Sequence, residues 1–413
     1  MANIRPFEAI RPAKEYAERI AALPYDVYSR EEAYEAVQGK DDTFLRIDRA
    51  ETNFDYNIDL YSDKVYEKAN ELLQNMIEDG RFIKDNKPCY YIYELTMDGR
   101  VQTGIVAASS VDDYVNGIIK KHENTRAEKE ADRINHVNVC SAQTGPIFLA
   151  YRDRKAIDEV VSKIKNGEAT YDFVADDGVR HRVFVVDDVE DIRVIYKEFK
   201  ETDSIYIADG HHRAASAVKV SMMRREAKGN YDGDEEFNFF LSVLFPDSEL
   251  MIMDYNRVLK SLNGHTVEEL HEWLKKSFVF VKEDTSEIRP AKKGQVSLYD
   301  GSKWSLYEIK PELVIDDPVE SLDVSILQEL VLDPFFDIQD PKTDDRIDFV
   351  GGIRGLKELE RRCNSDCKVA FAMYPTDISE LFNVADANRL MPPKSTWFEP
   401  KLRSGLFIHE IER

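Results

Sequence analysis

The stretch Tyr206-Ile-Ala-Asp-Gly-His-His-Arg-Ala-Ala215 decides how this chain is read. An apolar run ends at Ala208, and Ala214, Ala215, Val218 and Met222 then recur on one helical face, so a strand passes into a helix across a single turn. Gly210 permits a sharp bend and close backbone approach. A helix that begins near His212 turns its free N–H groups toward the loop. That arrangement binds phosphate, and Arg213 offers a bidentate, charged contact beside it. Asp209 repels a bare phosphate, so its presence points to a magnesium-bound nucleotide or to a general acid. The pattern alone equally fits a helix-capping Asp209, an ion-paired Arg213 and two polar turn histidines. Adjacent histidines diverge, which makes a shared zinc ion a poor third reading.

Working outward, strands are expected at Pro146 to Tyr151, His181 to Val186 and Ile205 to Ala208, alternating with helices near Ala156 to Lys165 and Val189 to Phe199. Upstream, Tyr90 to Leu95 and Val101 to Ala107 flank Asp98-Gly99, a hairpin signal. Helix-like segments run from Glu31 to Val37 and from Leu60 to Glu78, the second with Tyr61, Val65, Ala69, Leu72, Leu73 and Met76 at helical spacing. Downstream come Phe278 to Val281, a hairpin over Val296 to Ile309, Val369 to Tyr374 and a last strand over Gly405 to Ile411. The pattern is α+β with mixed sheets, divided into an N-terminal region 1–88, a core 89–247 and a C-terminal region 248–413.

At 413 residues the chain is long enough for two or three domains, and with 43% hydrophobic and 33% charged residues it reads as globular. No apolar leader and no run of eighteen apolar residues occurs, so a cytoplasmic protein that does not enter membranes is expected. Four cysteines are too few for a disulfide framework and are read as free thiols. The net charge of −23 repels polyanions, which argues against nucleic-acid binding and leaves small anionic ligands open.

Two further segments carry chemistry. In Lys121-His-Glu-Asn-Thr-Arg-Ala-Glu-Lys-Glu-Ala-Asp-Arg133, Thr125 and Glu128 have capping-box spacing for a helix from Arg126 to about Val139. His122-Glu123-Asn-Thr-Arg126 lacks the second histidine of a zinc-protease motif. Lys129, Asp132, Arg133 and His136 fall on one helix face with Arg126 beside them; the face is either merely solvated and laced with ion pairs, or Arg126, Lys129 and Arg133 hold a phosphate while Glu123 acts as a base. Near the end, Met391-Pro-Pro-Lys-Ser-Thr-Trp-Phe-Glu-Pro-Lys401 forms a rigid, proline-rich loop, either packed or carrying Lys394 and Lys401 to an anion.

Together these motifs resemble one prokaryotic family over nearly the whole chain. The resemblance rests on Arg5-Pro-Phe7 with Pro24-Tyr25-Asp26, on Lys121 to Thr125 with Lys129 and Asp132-Arg133, on Ile207 to Arg213, and on Pro393 to Thr396 with Pro400-Lys401. The family is that catalogued as domain of unknown function 1015, a name that carries no activity. More distantly, Asp209, Gly210, His212 and Arg213 resemble the phosphate loop of the ParB/sulfiredoxin superfamily. Free serine kinases of that superfamily have Asp-Gly-Thr-His-Arg, with His211 here at the threonine position. Glu123 resembles the glutamate those kinases use as a base. Sulfiredoxins place a reactive cysteine where His211 stands, so redox activity is not implied, and the charge argues against a DNA-binding ParB role.

The resemblance implies a ParB/sulfiredoxin-like core with an additional C-terminal α+β region. It also implies phosphoryl transfer from ADP or ATP to a small hydroxyl metabolite, L-serine being the first choice, with Mg²⁺ assisting. Glu123, Asp209 and His212 are then catalytic and Asp209 also holds the metal. Gly210, His211, Arg213, His122, Thr125, Arg126, Lys129, Arg133 and Lys394 bind phosphate or nucleotide. The alternatives are a phosphoserine phosphatase and a nucleotide-binding switch without turnover.

Overall fold

At Asp98 and Gly99 the backbone takes positive φ at both residues (51° and 79°), the twist that lets two strands fold back directly on one another. The hairpin so formed joins β1 (Tyr90–Met97) to β2 (Arg100–Ser110). The structure, a computed structural model, describes every residue except Arg126 and Arg413, and every side chain except theirs and those of Glu128 and Lys129. The chain forms two compact units, residues 1–250 with 400–413, and residues 251–399.

In the first unit the hairpin is the middle of a nine-stranded sheet. Its other labelled strands are β3 (Ile119–Lys120), β4 (Ile147–Tyr151), β5 (Tyr171–Val174), β6 (Arg180–Val186), β7 (Ile205–Asp209) and β8 (Phe239–Pro246). They run in the order β3-β7-β4-β8-β2-β1-β6-β5, with Ile4–Arg5 added along β2. Two neighbouring pairs are parallel, β3 with β7 and β4 with β8, and the rest are antiparallel. The fold is therefore mixed α+β. Strand β8 is buried at every residue, which explains its unbroken apolar run. Ile105, Leu149, Phe184, Ile207 and Phe240 belong to the main core.

A second core gathers Phe44, Ile47 and Ile408 against α1 (Asp63–Glu78), which buries Val65, Tyr66, Ala69, Leu73 and Met76. Tyr61 lies before this helix and is 57% exposed, so the apolar stripe begins at Val65 and not at Tyr61. The expected last strand over Gly405 to Ile411 shrinks to His409–Glu410. Gly405 adopts φ +83°, where a Cβ would come within 2.5 Å of the Phe44 ring, and that bend ends any extended run.

The second unit is a six-stranded antiparallel sheet. Its strands are β9 (Tyr255–Leu259), β10 (Phe278–Asp284), β11 (Gln295–Tyr299), β12 (Trp304–Ile309), β13 (Ile347–Gly351) and β14 (Val369–Met373). They run in the order β10-β12-β11-β14-β9-β13. Helix Val267–Ser277 starts at a capping box between Thr266 and Glu269, and helix Leu356–Cys363 buries Leu356 and Leu359.

Candidate functional site

Strand β7 ends at Asp209, Gly210 takes φ 92° and ψ 31°, and α3 (His211–Lys228) begins at once. The Arg213 guanidinium folds back over the glycine. The backbone angle favours glycine, and a Cβ at position 210 would lie 2.9 Å from Arg213 Nε and 3.0 Å from its Cζ, so a side chain there would displace the guanidinium. Arg213 also donates to the carbonyl of Pro146. Asp209 Oδ1 accepts from the Gly210 amide at 2.7 Å, and its Oδ2 accepts from Lys401 Nζ at 2.9 Å. Burial would raise this carboxyl, but Lys401 and Arg213 outweigh it and hold Asp209 ionised well below the usual carboxylate range.

The parallel register pairs Ile119 with Ile205 and Lys120 with Tyr206, so β3 and β7 end side by side. The loops after neighbouring parallel strands are where open sheets bind ligands. Here those loops are the His122-Glu123 segment and the Asp209-Gly210 turn. They meet through histidine. The His122 amide donates to His211 Nε2 at 3.4 Å, and the two rings stand edge to face with centroids 4.5 Å apart. Burial pushes His122 down to about 4 and, with His122 beside it, His211 well below the usual imidazole range, so both rings are neutral. Thr125 Oγ1 donates to Glu130 Oε2 (2.8 Å), and Ser216 Oγ of α3 donates to the Glu130 carbonyl (3.1 Å) of α2 (Ala127–Cys140).

Each helix then sends one arginine into the same small cavity. Arg133 of α2 and Arg213 of α3 line a space of about 30 Å³ together with Tyr25, Thr144, Gly145 and Ser404. One water-sized group needs about 10–15 Å³, so the space suits the end of a ligand and not its body. The Arg133 guanidinium lies 4.0 Å above the Tyr25 ring and donates to Asp132 Oδ2 at 2.9 Å. Burial pushes the Tyr25 hydroxyl up to about 12 against the pull of Arg133 and Arg213, which places the phenol in the field of both cations. Asp48 is also in the wall, and its Oδ1 accepts from Thr144 Oγ1 at 3.0 Å. Two guanidiniums lining one cavity with hydroxyl-bearing side chains and a glycine are a donor set for an oxyanion.

The magnesium ion expected at Asp209 is not shown by these residues. Mg²⁺ takes oxygen ligands, and each oxygen of Asp209 already accepts one hydrogen bond, from the Gly210 amide and from the Lys401 ammonium. Among the described residues no group of three His, Cys, Asp or Glu could hold a metal.

The sequence profile of the family described as "Protein of unknown function (DUF1015)" matches residues 4–325. The chain belongs to that family. No curated protein sequence matches it. Among solved structures it is similar to SbnI with C-terminal truncation from Staphylococcus aureus, at 11% identity over 74% of this chain and 87% of that one, TM-score 0.37. A free serine kinase in complex with AMP is 15% identical over 75% and 91%, TM-score 0.36. A conserved hypothetical protein from Pyrococcus furiosus is 15% identical over 75% and 95%, TM-score 0.33.

Within this family member, the predicted site residues fall into distinct places. Arg213, Gly210, Asp209 and Arg133 gather at the turn and its cavity, with His122 and His211 buried beneath as the contact between the two loops. Glu123 is half-buried in the same loop, next to His122, and His212 is half-buried on the first turn of α3. Lys394 belongs to the second unit, where its ammonium lies 5.6 Å from the Tyr255 ring centroid. Arg126 and the side chain of Lys129 lie outside the described residues. Sequence reasoning gave no role to Asp48, Thr144, Gly145 and Ser404. Tyr25 carried a signal only as part of Pro24-Tyr25-Asp26. The others sit in unremarkable local sequence, and only the chain path brings them together. No helix among the described residues is long and apolar enough to cross a membrane.

Proposed function

We propose that the first unit binds the phosphate of a small phosphorylated molecule between Arg133 and Arg213 and transfers a phosphoryl group to or from the hydroxyl of a small metabolite. The observation that supports this reading is the convergence of those two arginines, each from the helix following one of two adjacent parallel strands, on one small cavity. An adenine nucleotide is the donor class that the Asp-Gly-x-His-Arg resemblance implies. In the forward direction Glu123 takes the hydroxyl proton, and the oxygen attacks the terminal phosphorus. The bond to the bridging oxygen breaks, and its electron pair leaves with the nucleotide. Charge neutralisation falls to Arg133, Arg213 and Lys401, and catalysis is mainly positioning and electrostatics.

The test is a phosphorus NMR time course with ATP or ADP and a panel of small alcohols, paired with calorimetric titration of inorganic phosphate into the parent protein and Arg213→Ala. Formation of a phosphate ester, with phosphate affinity lowered about 10- to 100-fold by the substitution, supports the proposal. Release of inorganic phosphate alone turns the reading to a phosphatase. Nucleotide binding without any new phosphorus signal turns it to a switch.

A further inference from the structure

A second, larger cavity of about 190 Å³ shares Tyr25, Asp48, Arg133 and His136 with the small one. A ligand whose phosphate enters the small cavity has this space beside it for its body. The chemistry of the walls is one-sided. Tyr25, Tyr28, Tyr61 and Tyr66 line the cavity, with Asp26 at its rim. Both of its arginines are already engaged. Arg49 Nε donates to Glu51 Oε1 at 2.6 Å, and its Nη1 donates to the carbonyls of Tyr25 (3.1 Å) and Tyr28 (2.9 Å). Arg133 is held by Asp132, whose other oxygen accepts from the Tyr66 hydroxyl at 3.0 Å. Asp26, by contrast, makes no hydrogen bond or ion pair among the described residues. Tyr61 is 57% exposed.

With Arg133 turned to the phosphate and Arg49 held by Glu51 and two carbonyls, the described walls of this space offer a ligand carboxylate no further cation. An alkylammonium meets tyrosine faces and an open carboxylate, the partners that cation–π and ion-pair recognition use. We propose that the larger cavity receives an ammonium group, so that the metabolite handled here is a small amino alcohol without a carboxylate, with Asp26 and Tyr61 as the residues that select it. This rests on the phosphate assignment of the small cavity, and it departs from the expectation of L-serine.

The experiment is calorimetric titration of the full chain with four probes: inorganic phosphate, O-phosphoethanolamine, O-phospho-L-serine and 2-phosphoglycolate. None of these requires turnover. O-Phosphoethanolamine should bind about 10-fold more tightly than 2-phosphoglycolate and more tightly than O-phospho-L-serine. Asp26→Asn should remove that advantage and leave inorganic phosphate affinity unchanged, and Tyr61→Ala should reduce it by a few fold. Asp26 is exposed and unbonded, so its variant is expected to fold as the parent does. Equal affinity for the three esters, or an advantage indifferent to Asp26→Asn, overturns the inference. If inorganic phosphate still binds in an Arg213-dependent way under that outcome, the phosphate site stands and only the ammonium subsite falls. If neither phosphate nor any ester binds, both readings fall.

Discussion

Replacing Gly210 with alanine separates backbone strain from ligand binding at the turn. The glycine sits at φ 92°, in the left-handed region, and a Cβ there meets Arg213 Nε at 2.9 Å. Holding an alanine in that region costs about 1–2 kcal/mol. For a unit of this size that corresponds to a melting temperature lower by about 2–8 °C. The second effect is specific. The guanidinium must leave its place over the turn, and the charge-assisted hydrogen bonds it offers an oxyanion are worth about 1.5–3 kcal/mol. Inorganic phosphate affinity should therefore fall about 10- to 100-fold, well beyond what strain alone predicts for a folded protein. Calorimetric titration of Gly210→Ala, Arg213→Ala and the double variant measures both parts. If Arg213 is the carrier, the double variant binds no more weakly than Arg213→Ala, because the two changes act through one contact. Parent-like phosphate affinity in a folded Gly210→Ala protein, or losses that simply add, refutes the assignment of Arg213 to the anion.

Glu123→Gln should keep phosphate binding and lower turnover by about 10²–10⁴-fold, the worth of a general base; steady-state rates near the parent's would remove the base role. His122 is buried and pushed from 6.5 to about 4, so the unfolded chain binds its proton first as the pH falls. Stability contributed by the neutral ring is intact above about pH 6.5 and is lost on the way to pH 4. Thermal melts across that window should fall, and His122→Gln should flatten the slope; an unchanged slope counts against a neutral buried ring. In the second unit Asp323 is pushed by burial from 3.8 up to about 7, while both its oxygens accept from the Gly294 amide at 2.9 and 3.0 Å. Its folded acidity is weaker than its unfolded acidity, so its contribution is full below about pH 4 and is lost as the pH rises through 7. Asp323→Asn should raise the melting temperature more at pH 8 than at pH 5, and a gain of equal size at both values argues against an ionising Asp323.

Local signals in the sequence were enough for the Asp98-Gly99 hairpin, the strand-to-helix passage at Asp209-Gly210 and the helix after Thr125. Each depends on near neighbours, a turn residue with positive φ or an apolar period, whereas the Thr125-Glu128 capping box involves the Glu128 side chain, which lies outside the described residues. The stretch around Gly210 stood out because glycine, arginine and aspartate meet at one bend, a pattern that fits a phosphate loop and a capped, ion-paired turn equally. What the sequence could not determine is partnership. Lys401 reaches Asp209 only because residues 400–413 return to the first unit after the second has been built, and an ion pair between residues so far apart leaves no periodic trace. The same holds for the cavity. Tyr25, Asp48, Thr144 and Ser404 come from four segments that pack around Arg133 and Arg213, and a burial environment is a sum over the whole fold. Asp209 shows the difference most plainly. Its sequence neighbours show only that it stands beside Gly210 and Arg213, whereas the folded chain adds an ammonium 2.9 Å from its second oxygen.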